Sequence, residues 1–128
     1  MKIKSVLVAL FTTTLITLGF SAAPASAALS WPSDCTVEVS ITGGKGCFQA
    51  NGDDFWAWDT YSDGYHVEVW WISANGKSGE CHAYGAGTIE ECSHDFGAGN
   101  SVKFQVKIYN GLSMIRQSAY TDWISVGA

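Results

Sequence analysis

Aromatic side chains are concentrated in residues 53–73, a stretch that holds four of the six tryptophans. The apolar faces of sugar rings stack on exposed indole and phenol rings, while nearby carboxylates bind sugar hydroxyls. A group of aromatic rings exposed together marks a surface that interacts with a partner. The sequence therefore predicts a ligand-binding surface formed by five aromatic residues: Trp56, Trp58, Tyr61, Tyr65 and Trp70.

Four aspartates lie in the same stretch, at Asp53, Asp54, Asp59 and Asp63. Calcium takes six to eight oxygen ligands, and aspartates on loops can supply several of them. The spacing lacks the Asp-x-Asp-x-Asp-Gly run of a calcium loop, and the alternative is that Asp53 and Asp63 stabilise turns through their own side chains. We favour the turn-forming role, with calcium as the alternative.

Cysteine and histidine lie close together at Cys81-His82 and at Cys92-Ser93-His94. In a cytosolic protein this arrangement would suggest zinc. In an exported chain the cysteines form disulfides instead, and a disulfide leaves no thiolate for a metal. We expect no metal centre and no cofactor.

Catalysis has little support in the sequence. The histidines and the many acids would allow an acid–base pair, provided that a concave pocket brings a histidine and a carboxylate together. The Gly-x-Ser-x-Gly and His-Glu-x-x-His patterns are both absent. A domain of this size also leaves little room for a sugar cleft between two catalytic carboxylates. We therefore predict that the protein is not an enzyme.

The aromatic stretch is predicted to form a β-hairpin. Residues 55–60 and 65–73 are rich in aromatic and β-branched residues, and Ser62-Asp63-Gly64 is a turn sequence between them. In the second strand Val67 and Val69 mark the face that points to the core. Alternate residues then point outward: His66, Glu68 and Trp70.

Short runs of alternating apolar and polar residues recur along the chain, most clearly at residues 35–41 and 101–109. Turn sequences separate the runs: residues 42–46, Asn51-Gly52, Asn75-Gly76 and Asn110-Gly111. About seven or eight short strands at this spacing predict an all-β fold, an antiparallel β-sandwich that is immunoglobulin-like in its general architecture. We predict that Val102, Phe104, Val106 and Ile108 point into its core.

Four cysteines in an exported chain imply two disulfides, with three possible pairings. We favour Cys35–Cys47 and Cys81–Cys92, because each pair flanks a short loop between strands expected to be neighbours. Closing a loop of this length stabilises a fold by about 3 kcal/mol.

The first 27 residues have the pattern of a secretory signal peptide. Lys2 and Lys4 precede a mostly apolar segment at residues 6–20, and Ala25-Ser26-Ala27 fits a small-residue cleavage site. The apolar segment is short for a membrane span and is interrupted by threonines. We predict that residues 1–27 are removed and that residues 28–128 form one secreted domain with no membrane insertion.

The chain is acidic, with a formal net charge of −5 that becomes more negative when the leader lysines are removed. Nucleic-acid binding requires clustered lysine and arginine. The basic residues that remain are scattered along the chain: Lys45, Lys77, Lys103, Lys107 and Arg116. We therefore expect no nucleic-acid partner and no binding to an anionic membrane surface.

The run Gly-Asp-x-Phe-Trp-x-x-Asp-Thr-x-x-Asp-Gly-Tyr, residues 52–65, resembles a stretch that recurs in small exported bacterial proteins of unassigned function. A weaker resemblance is to the tendamistat-type α-amylase inhibitors, through the strand, turn and Gly-x-Cys segment of residues 67–84. That resemblance implies a small β-sandwich with two disulfides that presents a Trp-Arg-Tyr tripeptide to the enzyme. The nearest counterpart here is Trp56-Ala57-Trp58, which lacks the arginine.

Two functions are consistent with these features. The first is a secreted, non-catalytic binding module for a polysaccharide or a cell-envelope surface. The second is a small secreted protein that binds or inhibits an extracellular hydrolase. Exposed coplanar rings with few protruding loops would favour the first function. A rigid protruding loop held by a disulfide, such as residues 43–46 beside Cys47, would favour the second.

Overall fold

The structure, a computed structural model, describes residues 29–127. The predicted signal peptide, residues 1–27, lies outside the described residues. Residues 29–127 contain nine β-strands and no helix, so this part of the chain has no helix able to cross a membrane.

The strands form two antiparallel sheets. The first sheet has the order β1-β2-β3-β6, and the second has the order β5-β4-β7-β8, with β9 also paired to β7. The predicted all-β sandwich is confirmed, with nine strands where seven or eight were expected; the shortest, near the end of the described chain, is a two-residue strand paired with β7. The strands are β1 (Val37–Ile41), β2 (Gly44–Gln49), β3 (Asp54–Asp59), β4 (His66–Ser73), β5 (Ser78–Tyr84), β6 (Ile89–Ser93), β7 (Ser101–Asn110), β8 (Ser113–Gln117) and β9 (Ile124–Ser125).

The core lies between the sheets and is built from the inward residues of their central strands. Phe55 stacks on Trp71 across the sandwich, with ring centroids 5.8 Å apart. Val67 and Val69 are buried, as predicted. The predicted inward face of β7 is also confirmed, since these four residues are buried: Val102, Phe104, Val106 and Ile108.

Two glycines of β2 face this core. The turn predicted over residues 42–46 is wrong, because the turn is confined to Thr42-Gly43 and the strand begins at Gly44. A Cβ atom on Gly46 would lie 2.8 Å from Val106 Cγ2 and 2.9 Å from Val69 Cγ2. These glycines let the two sheets approach closely at this point, which an alternation rule based on apolar side chains does not detect.

β3 and β4 belong to different sheets, so the predicted aromatic hairpin is wrong. β3 pairs with β2 and β6, whereas β4 pairs with β5 and β7. Residues 60–65 therefore cross from one sheet to the other. Strand propensity identifies both segments but does not specify their partners, and each segment has a buried face that fits the interior of a sandwich.

Both predicted disulfides are present. Cys35 lies just before β1, and Cys47 lies on β2. Their disulfide therefore joins the beginning of β1 to the strand next to it in the first sheet. Cys81–Cys92 links β5 to β6 and so joins the two sheets. The expectation that each pair lies between neighbouring strands holds only for the first pair. Two disulfides are consistent with an oxidising, extracellular environment.

Candidate functional site

Three adjacent strands of the second sheet, β5, β4 and β7, present polar and aromatic side chains on their outer face. Every second residue of a strand points to the same face, and the antiparallel register aligns these residues into rows across the strands. The three rows, named in the order β5, β4, β7, are Tyr84–His66–Tyr109, His82–Glu68–Lys107 and Glu80–Trp70–Gln105. We refer to these nine residues as the outer grid.

An open cleft of about 640 Å³ lies over the outer grid. Gly111 and Leu112 of the β7–β8 turn contribute to its lining. A concave surface with aromatic walls and a few convergent polar groups is typical of a ligand-binding site. The grid residues that line it are His66, Glu68, Trp70, Glu80, His82, Tyr84 and Tyr109.

Two ring pairs of the cleft, both involving Tyr109, have small angles between their planes. His66 stacks on Tyr109 with ring centroids 5.6 Å apart and an interplanar angle of 19°. Trp70 is nearly parallel to Tyr109, at 11° and 6.4 Å. Tyr84 lies 4.6 Å from His66 and is 61 % exposed. The cleft therefore contains near-parallel rings next to one exposed ring.

Glu68 lies at the centre of the outer grid and is only 7 % exposed. His66 Nε2 lies 2.6 Å from its Oε2 atom. The Trp70 indole donates a hydrogen bond of 2.9 Å to its Oε1 atom. A buried carboxylate needs such partners, and these two fix its orientation toward the cleft.

His82 lies beside two carboxylates. Its Nε2 atom is 3.2 Å from Glu68 Oε1 and 2.9 Å from Glu80 Oε2. Its Nδ1 atom is 2.8 Å from the Tyr84 hydroxyl. The imidazole is thus held at both nitrogens, with Nε2 directed at the acidic centre of the cleft.

The acidic centre also affects Tyr109. Burial, with the nearby charges of Glu68 and Glu80, raises the pKa of the Tyr109 hydroxyl above its usual value. The phenol of Tyr109 is therefore neutral at physiological pH, able both to donate and to accept a hydrogen bond. On the same strand, the Lys107 ammonium lies 3.6 Å from the centroid of the Trp70 ring, in a cation–π contact.

The five aromatic residues predicted as a binding surface do not come together. Trp70 lines the cleft. Trp56 and Trp58 point outward from β3, in the other sheet. Tyr61 is exposed in the segment between β3 and β4, and Tyr65 is half-buried against the core.

Trp56 and Trp58 are engaged with neighbours on the outer face of the first sheet. Trp56 is 8 % exposed, and its indole donates a hydrogen bond of 2.6 Å to Gln49 Oε1. Trp58 packs against Trp31 with ring centroids 5.6 Å apart, and the Lys45 ammonium lies 5.2 Å from its ring. Burial of Trp56 and coverage of Trp58 make this face a poorer stacking platform than the cleft.

The four aspartates, all within the described residues, do not converge as a set of metal ligands. Asp63 Oδ1 accepts the Tyr65 backbone N–H at 3.0 Å, which confirms the predicted turn role. Asp53 instead accepts the Phe96 backbone N–H at 3.1 Å, so its carboxylate binds a different loop from the Asn51-Gly52 turn. Asp59 points into the sandwich and is 1 % exposed.

Sequence reasoning placed Trp70 with His66 and Glu68 on an outer face but missed the rest of the cleft. The missed residues alternate within β5 and β7, so the alternation of residues along each strand was the signal that the sequence offered. Their meeting with β4 depends on the order β5-β4-β7, which alternation alone does not provide. The missed cleft residues are Glu80, His82, Tyr84 and Tyr109.

Fold and cleft together define a small disulfide-linked β-sandwich domain with an acidic, aromatic cleft on one sheet. Comparison of the chain with protein families, with curated proteins and with solved structures gives no significant match. The function is therefore inferred from the chemistry of the cleft.

Proposed function

We propose that the protein is a secreted, non-catalytic binding module that holds a carbohydrate of a polysaccharide or cell-envelope surface in the cleft over the outer grid. The observation that carries this proposal is the combination of rings and hydrogen-bonding groups in one concave site. Tyr84 offers an exposed ring, Trp70 and Tyr109 offer near-parallel rings, and Glu80 has an exposed carboxylate beside them.

This composition suits a sugar better than it suits an apolar molecule or an anion. Sugar rings have apolar faces that stack on aromatic rings and hydroxyls that donate to carboxylates. Glu68 and Glu80 would repel an anionic ligand, and their oxygens would lose hydrogen-bond partners beneath an apolar one. A neutral polyhydroxylated ligand satisfies both groups.

An acid–base pair would require a histidine and a carboxylate that converge in a concave site. The cleft meets this geometric condition. Its central carboxylate is nevertheless occupied by neighbouring side chains. Glu68 is 7 % exposed, with His66 at one oxygen and the Trp70 indole at the other. A catalytic carboxylate of a glycosidase must instead reach the scissile bond or an attacking water. This arrangement supports binding without hydrolysis.

Retention on insoluble ligands tests the proposal. The purified exported protein is mixed with a panel of insoluble polysaccharides and cell-wall preparations, and the fraction left in solution is measured. We expect retention on at least one of them, with affinity reduced about fivefold or more by Tyr84→Ala, since one stacked ring contributes about 1 to 3 kcal/mol in aromatic platforms that bind nucleic-acid bases. Trp123→Ala, at a 51 % exposed tryptophan outside the cleft lining, is the control.

A second candidate function is binding to an extracellular protein such as a hydrolase. The observation that favours it is the exposed β7–β8 hairpin, where Leu112 is fully exposed and Met114 and Ile115 are each more than 40 % exposed. Residues 43–46 do not provide the protruding loop that would have favoured this function, because Gly44 and Gly46 are buried in β2. Absence of retention on every polysaccharide would shift the assignment to a protein partner.

A further inference from the structure

Three side chains of the outer grid direct possible metal ligands to one point. An oxygen of Glu68, an oxygen of Glu80 and a nitrogen of His82 all lie within 4.8 Å of one another. Glu68 is on β4, and Glu80 and His82 are alternate residues on β5, so adjacent paired strands hold all three side chains. Placement on a hydrogen-bonded sheet gives a more rigid set of ligands than a loop would.

The same side chains have further partners, and Glu68 Oε1, which faces His82, also accepts the Trp70 indole N–H at 2.9 Å. His66 lies 2.6 Å from the second oxygen of Glu68, and the Tyr84 hydroxyl lies 2.8 Å from Nδ1 of His82. Metal-binding histidines commonly have their second nitrogen hydrogen-bonded in this way, which fixes the tautomer and the direction of the coordinating lone pair. With Tyr84 accepting from Nδ1–H, displacement of the Nε2 proton by a metal ion would leave the Nε2 lone pair directed at the point where both carboxylates meet.

The electrostatics of this point favour a cation. Glu68 and Glu80 bring two negative charges to one imidazole nitrogen, which carries at most one proton to share between them. Lys107 is next to Glu68 in the register but places its ammonium over the Trp70 ring. A cation in place of the shared proton would satisfy both carboxylates and the imidazole together.

We propose that Glu68, Glu80 and His82 bind one divalent transition-metal ion of the zinc class, with a further coordination position open to the cleft. An imidazole with two carboxylates suits zinc and its first-row neighbours, whereas calcium and magnesium prefer oxygen ligands alone. Three protein ligands with one open position is an arrangement that zinc adopts when its fourth ligand is water or a bound molecule.

This site differs from the one that the sequence suggested. There His82 drew attention through its neighbour Cys81, whose sulfur is used in the disulfide with Cys92. The ligands inferred here come from strand register. The inference goes beyond carbohydrate binding and does not depend on it, since the ligand atoms converge whatever molecule occupies the cleft.

Calorimetric titration of the metal-free exported protein with zinc chloride tests the inference. We expect one equivalent of zinc per chain and, with cobalt in its place, visible absorption bands of low-symmetry coordination. Glu80→Gln removes one ligand charge from an exposed side chain and should weaken zinc binding by about 100-fold or more, at least as much as the loss of a hydrogen-bond partner of a ligand does. Tyr84→Phe, which removes a partner of His82, should weaken it by about 10-fold or more.

Glu90→Gln is the matched control, because Glu90 is an exposed glutamate on β6 in the other sheet. Its zinc affinity should equal that of the unaltered protein. Thermal unfolding of each variant checks that the fold is intact. Absence of zinc binding, or binding that both Glu80→Gln and His82→Gln leave unchanged, would overturn the inference. Since the titration uses no saccharide, its result is separate from that of the retention experiment.

Discussion

Glu68 is a nearly buried carboxylate on the outer face of a sheet. Its burial comes from the neighbouring grid residues, above all His66 and Trp70, which are also its hydrogen-bond partners. Alternation in β4 predicted its outward direction correctly. Alternation did not predict its burial, because the covering side chains on β5 and β7 are far away in the sequence and arrive through strand pairing.

Asp59 is a second buried carboxylate, at the end of β3. Its Oδ1 atom accepts the Tyr61 backbone N–H at 3.3 Å, whereas Oδ2 is buried with no partner among the described residues. Burial raises the pKa of Asp59 above its ordinary value of 3.8, although the hydrogen bond from Tyr61 acts in the opposite direction. The folded protein therefore binds this proton more tightly than the unfolded chain does.

The sign of the resulting pH dependence follows from linkage. Asp59 contributes stability below its unfolded-state pKa, and this contribution is lost as pH rises through the higher folded-state pKa. Asp59→Asn, which cannot ionise, removes this loss. We expect the difference in unfolding free energy, variant minus unaltered protein, to increase from acidic to neutral pH. Urea unfolding of both proteins at a series of pH values measures this difference, and a difference that is constant with pH would contradict this account.

At the scale of elements, β2 is unusual because glycines form part of its inward face. Gly44 would place a Cβ atom 2.6 Å from Val67 Cγ2, and Gly46 would place one within 3 Å of Val69 and Val106. The valines of the opposite sheet occupy the space that side chains on β2 would need. The glycines thus act as packing positions, although their sequence resembles a flexible turn.

Gly46→Ala tests this packing role. The added methyl group must displace core side chains, and overpacking of this kind costs about 1 to 3 kcal/mol of unfolding free energy. Combination with Val106→Ala makes room for the methyl group, so the double variant should lose less stability than the sum of the two single variants. Chemical unfolding of all four proteins gives the comparison, and strict additivity would show that Gly46 does not pack against Val106.

The strands themselves were largely predictable, since alternation and turn sequences depend on neighbouring residues. The Asn75-Gly76 and Asn110-Gly111 turns do connect hairpins, β4–β5 and β7–β8. The Ser62-Asp63-Gly64 sequence has the same turn chemistry but lies in a crossing between sheets. Local signals do not distinguish these cases, because the choice of strand partner depends on burial across the whole sandwich.

At the scale of the whole molecule, one disulfide holds the two sheets together. Cys81–Cys92 joins β5, which carries two of the three proposed metal ligands, to β6 in the other sheet. The pairing was predictable from short loop lengths, whereas its place between the sheets was not. The same limit applied to the candidate site: the outward direction of Trp70 was predictable, but its separation from Trp56 and Trp58 required the sheet order.

Replacement of both Cys81 and Cys92 by alanine should destabilise the domain markedly. The bond spans 11 residues in sequence, and closure of such a loop contributes about 3 kcal/mol. For a domain of about 100 residues this corresponds to a fall in melting temperature of roughly 10 to 25 °C. Scanning calorimetry measures the effect, and an unchanged melting temperature would show that the bond does not stabilise the fold.

We propose that the cleft on the second sheet, and not the tryptophans of the first sheet, binds the ligand. The most direct measurement compares binding isotherms of Trp70→Ala and Trp58→Ala on the retained polysaccharide. We predict that Trp70→Ala loses affinity by about fivefold or more, whereas Trp58→Ala binds as the unaltered protein does. The reverse result, with binding lost in Trp58→Ala and kept in Trp70→Ala, would contradict the account and place the site on the outer face of the first sheet.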